Sequence, residues 1–210
     1  MQDMSHVRVL AALAALGLLL GTGCGRPGKV EVGPATALGE VAASESANLL
    51  GNSGQIVILV SETDKDSSTA LGIAFKAFTE ALKNTGLKVV ATETIRLPEL
   101  VLSGTDPVPA DRFLELVSKH AAVDALISFV GVPRLSAAQI TQLPPQRPKI
   151  VVAAVFNPPS KMLFAQGVVH LAILPRRATT PAEKPPRTAR EWFEANYQVV
   201  TPETAGSLPF

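Results

Sequence analysis

Five short apolar runs, separated by segments with helical periodicity, constrain the fold of this chain more than any other feature. Each run is rich in β-branched residues and is bounded by Gly, Pro or polar residues. The runs cover residues 56–60, 87–91, 125–130, 150–156 and 168–174. Runs that are apolar at consecutive positions are typical of parallel strands covered on both faces. The pattern therefore predicts a buried, mostly parallel sheet.

The segments between these runs predict the helices that would cover such a sheet. Residues 67–84 place apolar side chains at helical spacing, with Ser67 or Ser68 as the expected N-cap. Further helices are expected at residues 111–120, 136–143 and 160–166. Strands that alternate with helices predict an α/β domain over 55–175, with an open sheet of about five strands and helices on both faces. We expect the flavodoxin-like, or Rossmann-like, strand order 2-1-3-4-5.

The N-terminal residues have a pattern that is typical of a targeting signal. An apolar core at 9–20 follows Arg8 and precedes the small residues of 21–23 and Cys24. Such a core rises about 18 Å as a helix, which is short of the roughly 30 Å hydrocarbon core of a bilayer. Residues 1–23 are therefore predicted to be a signal peptide rather than a membrane span.

The stretch from Gly21 to Cys24 resembles the lipobox of bacterial lipoproteins. The resemblance implies that Cys24 is acylated, by a chain such as palmitate, and becomes the first residue of the mature protein. Cys24 is the only cysteine, and acylation would consume a thiol that otherwise invites intermolecular pairing. Gly25 in place of an acidic residue implies the periplasmic side of an outer membrane. Ordinary secretion with a free thiol and a short uncleaved anchor remain as alternatives.

Residues 24–54 are rich in Gly, Ala, Ser and Glu, with no strand pattern and only a weak helical pattern around 38–50. We interpret this segment as a flexible tether. About thirty flexible residues have a root-mean-square reach of about 30 Å. Such a spacer would let a lipid-anchored domain clear the membrane surface.

The C-terminal residues 176–210 differ in composition from the domain before them. Prolines among Arg, Thr, Ala and Lys predict an extended linker. Residues 188–197 then group Trp192, Phe193 and Tyr197 in a predicted terminal helix. We expect these aromatic side chains to dock on the domain. An exposed segment that binds another envelope protein is the alternative.

Three strand patterns, IVILV at 56–60, VDALI at 123–127 and PKIVV at 148–152, resemble one lobe of a type I periplasmic binding protein of the kind that feeds ABC importers. Members of that family are longer and trap a ligand by closing two lobes on each other. Only one lobe fits this chain. The resemblance therefore implies the fold and the binding of a solute, without closure of one lobe on another.

In an open α/β sheet the functional crevice lies beyond the carboxyl ends of the strands. The loop after the first predicted strand offers carboxylates, hydroxyls and the backbone N–H groups of a helix start, which suit an anion or a sugar hydroxyl. The loops after the third and fourth strands add a guanidinium and an amide. The predicted ligand-binding residues are Glu62, Asp64, Ser67, Ser68, Arg134 and Asn157. Turn chemistry and helix capping explain the same residue types equally well.

Asp64 and Asp66 form an Asp-x-Asp pair that resembles the motif of haloacid-dehalogenase-like phosphatases, in which the first Asp is a nucleophile and carboxylates hold magnesium. Here Ser61, Glu62 and Thr63 separate the pair from the strand, and no later acidic pair completes such a site. We favour a solvated acidic turn. A hydrolase that uses this loop is the weaker alternative.

Charge and motif content narrow the function further. The chain has 19 Lys and Arg against 18 Asp and Glu, so no field gathers nucleic acid and no nucleic-acid partner is expected. The histidines show no metal-ligand spacing, and nucleotide-binding and nucleophile-elbow motifs are missing. We expect no metal, cofactor or catalytic residue. The favoured function is binding of a small polar solute by a lipid-anchored envelope protein; a structural or assembly lipoprotein that recruits an envelope protein is the alternative.

Overall fold

The computed structural model describes residues 33–65, 68–96, 106, 108–153, 158–176 and 185–207. Within these residues a six-stranded sheet is flanked by helices. The strands are β1 (Ser53–Ser61), β2 (Gly86–Ile95), β3 (Ala125–Ser128), β4 (Lys149–Val152), β5 (Leu171–Pro175) and β6 (Tyr197–Val200). The helices are α1 (Pro34–Leu49), α2 (Ala70–Leu82), α3 (Ala110–Lys119), α4 (Ala137–Ile140), α5 (Lys161–Ala165), α6 (Ala189–Asn196) and α7 (Pro202–Ala205).

The strand order across the sheet is β2-β1-β3-β4-β5-β6. The first five strands in the chain pair in parallel, and β6 pairs antiparallel with β5. The predicted α/β class and the flavodoxin-like order of those five strands are confirmed. The sixth strand was not predicted, because Tyr197 is both the C-cap of α6 and the first residue of β6. Its aromatic ring therefore belonged to the helical pattern.

Helices cover both faces of the sheet, as the uninterrupted apolar strands require. One face packs against α1, α2 and α6, and we call these helices with the core beneath them the first layer. The other face packs against α3, α5 and α7, which form the second layer. Side chains alternate between the two along each strand: in β3, Leu126 belongs to the second layer and Ile127 to the first. Both residues are fully buried.

Part of the predicted flexible tether over 24–54 is instead a helix of the first layer. Residues 34–49 form α1, and Ala37, Leu38 and Ala42 are at most 1% exposed. The alanines and glycine that resembled a linker composition allow close packing against α2. A Cβ atom added at Gly39 would overlap the carbonyl oxygen of Ala74. Residues 24–32 lie outside the described residues.

Helix α1 runs antiparallel to the strands. It ends at Leu49 and a short turn leads into β1, with Asn52 at a φ of 62°. The Lys149 ammonium, at the amino end of β4, donates a 3.0 Å hydrogen bond to the Leu49 carbonyl. The C-terminus of α1 therefore lies at the amino ends of the strands. Its first residue, Pro34, lies toward their carboxyl ends.

The aromatic side chains at 192, 193 and 197 pack in the first layer, as we expected from the sequence. Phe193 and Tyr197 are 3% and 8% exposed, and Trp192 packs partly buried against the same core. Thr188 and Glu191 form a capping box that starts α6. The alternative of an exposed aromatic segment does not describe this arrangement. Among the described residues, no helix has the length and hydropathy that crossing a bilayer requires.

Candidate functional site

The carboxyl ends of β1 and β3 form the centre of the candidate site. These strands are neighbours, and Leu59 pairs with Ser128. From β1 the chain crosses to β2 on one side of the sheet, whereas β3 lies on the other side. Loops that leave neighbouring strands in opposite directions open a crevice between them. We call this region, with the loops that follow β1, β2 and β3, the carboxyl edge.

The loop after β1 is a tight hydrogen-bonded turn. The hydroxyls of Ser61 and Thr63 are 2.7 Å apart, and the Thr63 N–H donates to the Ser61 hydroxyl at 3.1 Å. The backbone N–H groups of Asp64 and Lys65 both donate to the Ser61 carbonyl oxygen. Ser61 is fully buried. The turn therefore fixes the direction in which the following side chains leave the sheet.

Asp64 faces the start of α2. It is only 8% exposed, and the Thr69 hydroxyl donates a 2.6 Å hydrogen bond to its Oδ1 atom. The same Thr69 oxygen accepts a hydrogen bond from the Gly72 N–H at 3.1 Å, which makes Thr69 the N-cap of α2. The predicted cap at Ser67 or Ser68 is thus wrong, because the first helical residue is Ala70 and Thr69 precedes it. Through its hydrogen bond with the Thr69 hydroxyl, Asp64 orients the observed cap.

Glu62 points outward from the same loop. Its Oε2 atom lies 3.1 Å from the Arg96 Nε atom, and the two side chains are 45% and 87% exposed. Arg96 directly follows β2, so this ion pair joins the loop after β1 to the end of the neighbouring strand. Exposed ion pairs of this kind contribute about 0–1 kcal/mol. The pair sets geometry at the carboxyl edge more than it sets stability.

Arg134 holds a second ion pair at this edge. Its backbone N–H and its Nε atom donate to the two carboxylate oxygens of Asp106, at 3.1 and 3.2 Å. The segment that carries Arg134 follows β3 and turns at Gly131, whose φ of 85° favours glycine. The buried Ser128 hydroxyl donates to the Gly131 carbonyl oxygen at 2.5 Å and closes this turn. Arg134 remains exposed on a loop that is fixed at its base.

Three predicted ligand-binding residues, Glu62, Asp64 and Arg134, therefore lie on loops at the carboxyl edge. Ser68 is exposed and precedes the N-cap of α2. The remaining predicted residues, Ser67, Asn157, Asp66 of the acidic pair and the lipidation residue Cys24, lie outside the described residues. Sequence reasoning missed the two partners, Arg96 and Asp106. Their charges were visible, but only the fold shows which loops they bridge.

The described residues hold no group of three or more His, Cys, Asp and Glu side chains that could bind a metal ion. The histidines there have structural contacts. The His120 Nε2 atom lies 2.8 Å from Glu93, and the His170 Nδ1 atom accepts a hydrogen bond from the Ile150 N–H at 3.2 Å. Burial, together with the charges of nearby Lys149 and Arg147, lowers the pKa of His170.

A shallow cavity of about 280 Å³ lies at the opposite end of the sheet. It opens between the C-terminal parts of α1 and α2, and Asn48, Asn52 and Asn84 are among its lining residues. These three side chains are exposed to solvent. The cavity does not touch the carboxyl edge, so the site predicted from topology and this cavity are separate features.

No protein-family model matches this chain, and no curated protein does. Solved structures do. An arabinose-binding protein from Geobacillus stearothermophilus aligns with a TM-score of 0.55 and 13% identity over 83% of this chain and 63% of its own. The sugar-binding protein of a sugar ABC transporter from Bacillus halodurans aligns with a TM-score of 0.55 and 13% identity, over 83% and 64%.

A solute-binding protein from Burkholderia graminis, solved in complex with D-arabinose, aligns with a TM-score of 0.54 and 12% identity over 84% of this chain and 62% of its own. This chain therefore covers less than two thirds of each of these three proteins. At such identities the alignments establish the architecture. The chain has the fold of one lobe of a type I periplasmic binding protein.

Proposed function

We propose that this chain binds a small polar solute, without catalysis, at its carboxyl edge. The observation that carries the proposal is the pair of ion pairs there. Glu62 with Arg96 and Arg134 with Asp106 bring two carboxylates and two guanidinium groups to loops beyond β1, β2 and β3. Carboxylates accept hydrogen bonds from hydroxyl groups, and guanidinium groups donate them in a planar fork. Both kinds of group suit a hydroxylated or charged small molecule.

The weakness of the Glu62–Arg96 ion pair favours binding. The Glu62 and Arg96 side chains are 45% and 87% exposed, and such a pair contributes about 0–1 kcal/mol. Exchanging one of its partners for a ligand hydroxyl therefore costs little. The base of each loop is rigid, because the buried hydroxyls of Ser61 and Ser128 close the turns that carry Glu62 and Arg134. Preorganised groups on a rigid base lose little entropy when a ligand binds.

The shared fold supports the choice of solutes to test. Two of the solved structures described above are an arabinose-binding protein and a complex with D-arabinose. D-Arabinose and other monosaccharides therefore come first, followed by amino acids, nucleosides and small anions. A ligand at a hundred times its dissociation constant raises the free energy of unfolding by about 2.7 kcal/mol, which a thermal-shift measurement detects.

The test compares variants at the two ends of the sheet. Arg134→Ala and Glu62→Gln remove groups at the carboxyl edge, whereas Lys83→Ala removes the cation of the exposed Glu80–Lys83 ion pair at the C-terminus of α2. We expect a dose-dependent shift in the unmodified protein, at least a tenfold weaker affinity in the first two variants and an unchanged affinity in the third. A ligand whose affinity is the same in all four proteins would contradict the proposed site.

We also propose that Cys24 is acylated and holds the domain at the periplasmic face of the outer membrane. The apolar segment 9–20 and the small residues before Cys24 support this. Metabolic labelling with palmitate and detergent phase partition test it. We expect label and detergent partition in the unmodified chain and neither in Cys24→Ala. Equal partition of both proteins would favour an uncleaved anchor instead.

A further inference from the structure

We propose that the outer edge of β2 is a self-association surface. On it, β2 of a second copy of this chain would pair antiparallel and join two sheets into one, with the two-fold axis midway between the two Ala91 residues. Strand β2 stands at the end of the strand order and pairs with β1 alone among the described strands. This proposal is independent of solute binding, because it concerns a different part of the sheet.

The two edges of the sheet differ in length and composition. Strand β2 has 10 residues without a proline, whereas β6 at the other edge has 4. Two adjacent side chains of β2, Val89 and Val90, are 44% and 49% exposed. A long edge strand presents a row of backbone N–H and C=O groups that another strand can pair with. Strand β2 combines such a row with exposed apolar surface.

A bulge in β2 changes which side chains share a face. The pairing with β1 passes from Ile56–Val89 to Val57–Ala91, so Val90 is an extra residue. Leu87 consequently packs in the first layer and Ile95 in the second, although residues eight apart in a regular strand share a face. By the same count, Lys88 and Glu93 lie on one face, that of the second layer.

This arrangement makes the strand self-complementary. In this register the two Ala91 residues lie opposite each other, and Val90, the bulge residue, has no opposite residue. Lys88 of one copy then lies opposite Glu93 of the other, and Val89 lies opposite Thr92. The symmetry repeats both pairs. Opposite residues of antiparallel strands share a face, and opposite charges there stabilise the pairing. A regular strand would place Lys88 and Glu93 on different faces and could not form this pair.

The two charged groups differ in exposure and in the contacts that they already make. Among the described residues, Lys88 has no carboxylate partner and is exposed. Glu93 contacts Lys119 and His120 through its Oε1 atom, at 2.7 and 2.8 Å. Its Oε2 atom has no hydrogen-bond partner in that part of the chain. The Glu93 side chain is 16% exposed, and a lysine from a second copy would reach it through that exposed part.

Sedimentation of the full chain in a density-matched non-ionic detergent tests the proposal. We expect a reversible, concentration-dependent monomer–dimer equilibrium. Lys88→Glu places glutamate opposite glutamate twice and should raise the dimer dissociation constant at least tenfold. Lys76→Glu makes the same charge change at an exposed position of α2 and should leave the constant unchanged.

A mixing experiment identifies the register. Glu93→Lys places lysine opposite lysine and should also dissociate the dimer, provided its circular dichroism shows a folded chain. The Lys88→Glu and Glu93→Lys chains are complementary to each other at both pairs. We expect a heterodimer when they are mixed. A monomer at every concentration of the unmodified chain, or a dimer that Lys88→Glu leaves intact, would overturn the proposal.

Discussion

The two layers that flank the sheet are packed in different ways. In the second layer, large side chains such as Phe113, Leu116 and Phe164 fill the space between helices and sheet. In the first layer, α1 and α2 approach until the backbone at Gly39 meets the backbone of Ala74, with small side chains around the contact. The second layer depends on large side chains. The first layer also depends on small residues where α1 and α2 are in contact.

A sequence indicates its packing most clearly where the buried side chains are large. Large apolar side chains at helical spacing mark α3, whose buried face carries Phe113, Leu116 and Val117. The contact face of α1 is mostly alanine and glycine, which give a weak periodic signal. Residues 34–49, which the sequence pattern indicated as part of a tether, nevertheless bury one face of α1 in the core.

Removing buried side-chain volume should change the free energy of unfolding most. Phe113→Ala in the second layer and Phe78→Ala in the first each empty a site that is 0% exposed. Each should lower the free energy of unfolding by about 3–5 kcal/mol, since the cavity adds to the lost transfer energy. Urea denaturation measures both. A loss below about 1 kcal/mol for Phe78→Ala would mean that the first layer is not part of the cooperative core.

A smaller effect should come from adding volume to the first layer. In a helix without a tight contact, glycine to alanine stabilises by about 1 kcal/mol. At Gly39 the new Cβ meets the Ala74 carbonyl, so Gly39→Ala should instead destabilise by about 1–3 kcal/mol. Glu40→Ala, at the next and exposed position, is the control and should change stability by less than about 0.5 kcal/mol. A stabilised Gly39→Ala would show that the helices are further apart.

Removing a helix cap should have a still smaller effect, and it should differ between two helices. Thr188→Ala breaks the capping box of α6, which buries Phe193 in the first layer. Ser136→Ala breaks that of α4, which has four residues and none buried. We expect a loss of about 1 kcal/mol for the first and less for the second. Equal losses would show that the caps act independently of packing.

An electrostatic contribution at the amino ends of β4 and β5 should change the free energy of unfolding least. Burial holds the pKa of His170 below its ordinary value of 6.5. The unfolded chain therefore takes up a proton first as the pH falls. Stability contributed by the neutral imidazole is complete above about pH 6.5 and is lost as the pH falls through the lower folded pKa.

The variant His170→Asn separates this effect from packing. Asparagine keeps an oxygen that can accept the hydrogen bond from the Ile150 N–H. We expect denaturation between pH 7 and pH 5 to show a smaller change in unfolding free energy for the variant than for the unmodified chain. An identical pH slope in both proteins would assign the titration to other groups.

Much of the sheet followed from the sequence, because buried parallel strands are apolar at consecutive positions. The run Ile56 to Val60 lies in β1, and the expected strand order of the first five strands is observed. The exact ends did not follow. Strand β2 continues to Ile95 through polar residues, since an edge strand needs no apolar outer face.

The candidate site followed from the sequence only in outline. Glu62, Asp64 and Arg134 were predicted to lie beyond the carboxyl ends of the strands, and the structure has them on loops there. The sequence did not show that Asp64 turns inward to the Thr69 hydroxyl, or that Asp106 binds Arg134. Such contacts depend on the positions of separate loops in the fold, which a local sequence pattern does not predict. Three hydroxyl residues at 67–69 likewise left the true cap of α2 undecided.

The direction of α1 has a mechanical consequence. Its first residue, Pro34, lies toward the carboxyl ends of the strands, and residues 25–33 alone separate it from Cys24. Nine residues span at most about 30 Å when fully extended. Under the proposed acylation, this connection to the lipid is therefore short. It leaves the domain at the end of the sheet where the carboxyl edge lies. Under the two proposals above, the connection to the lipid would therefore start at the end of the domain that binds the solute.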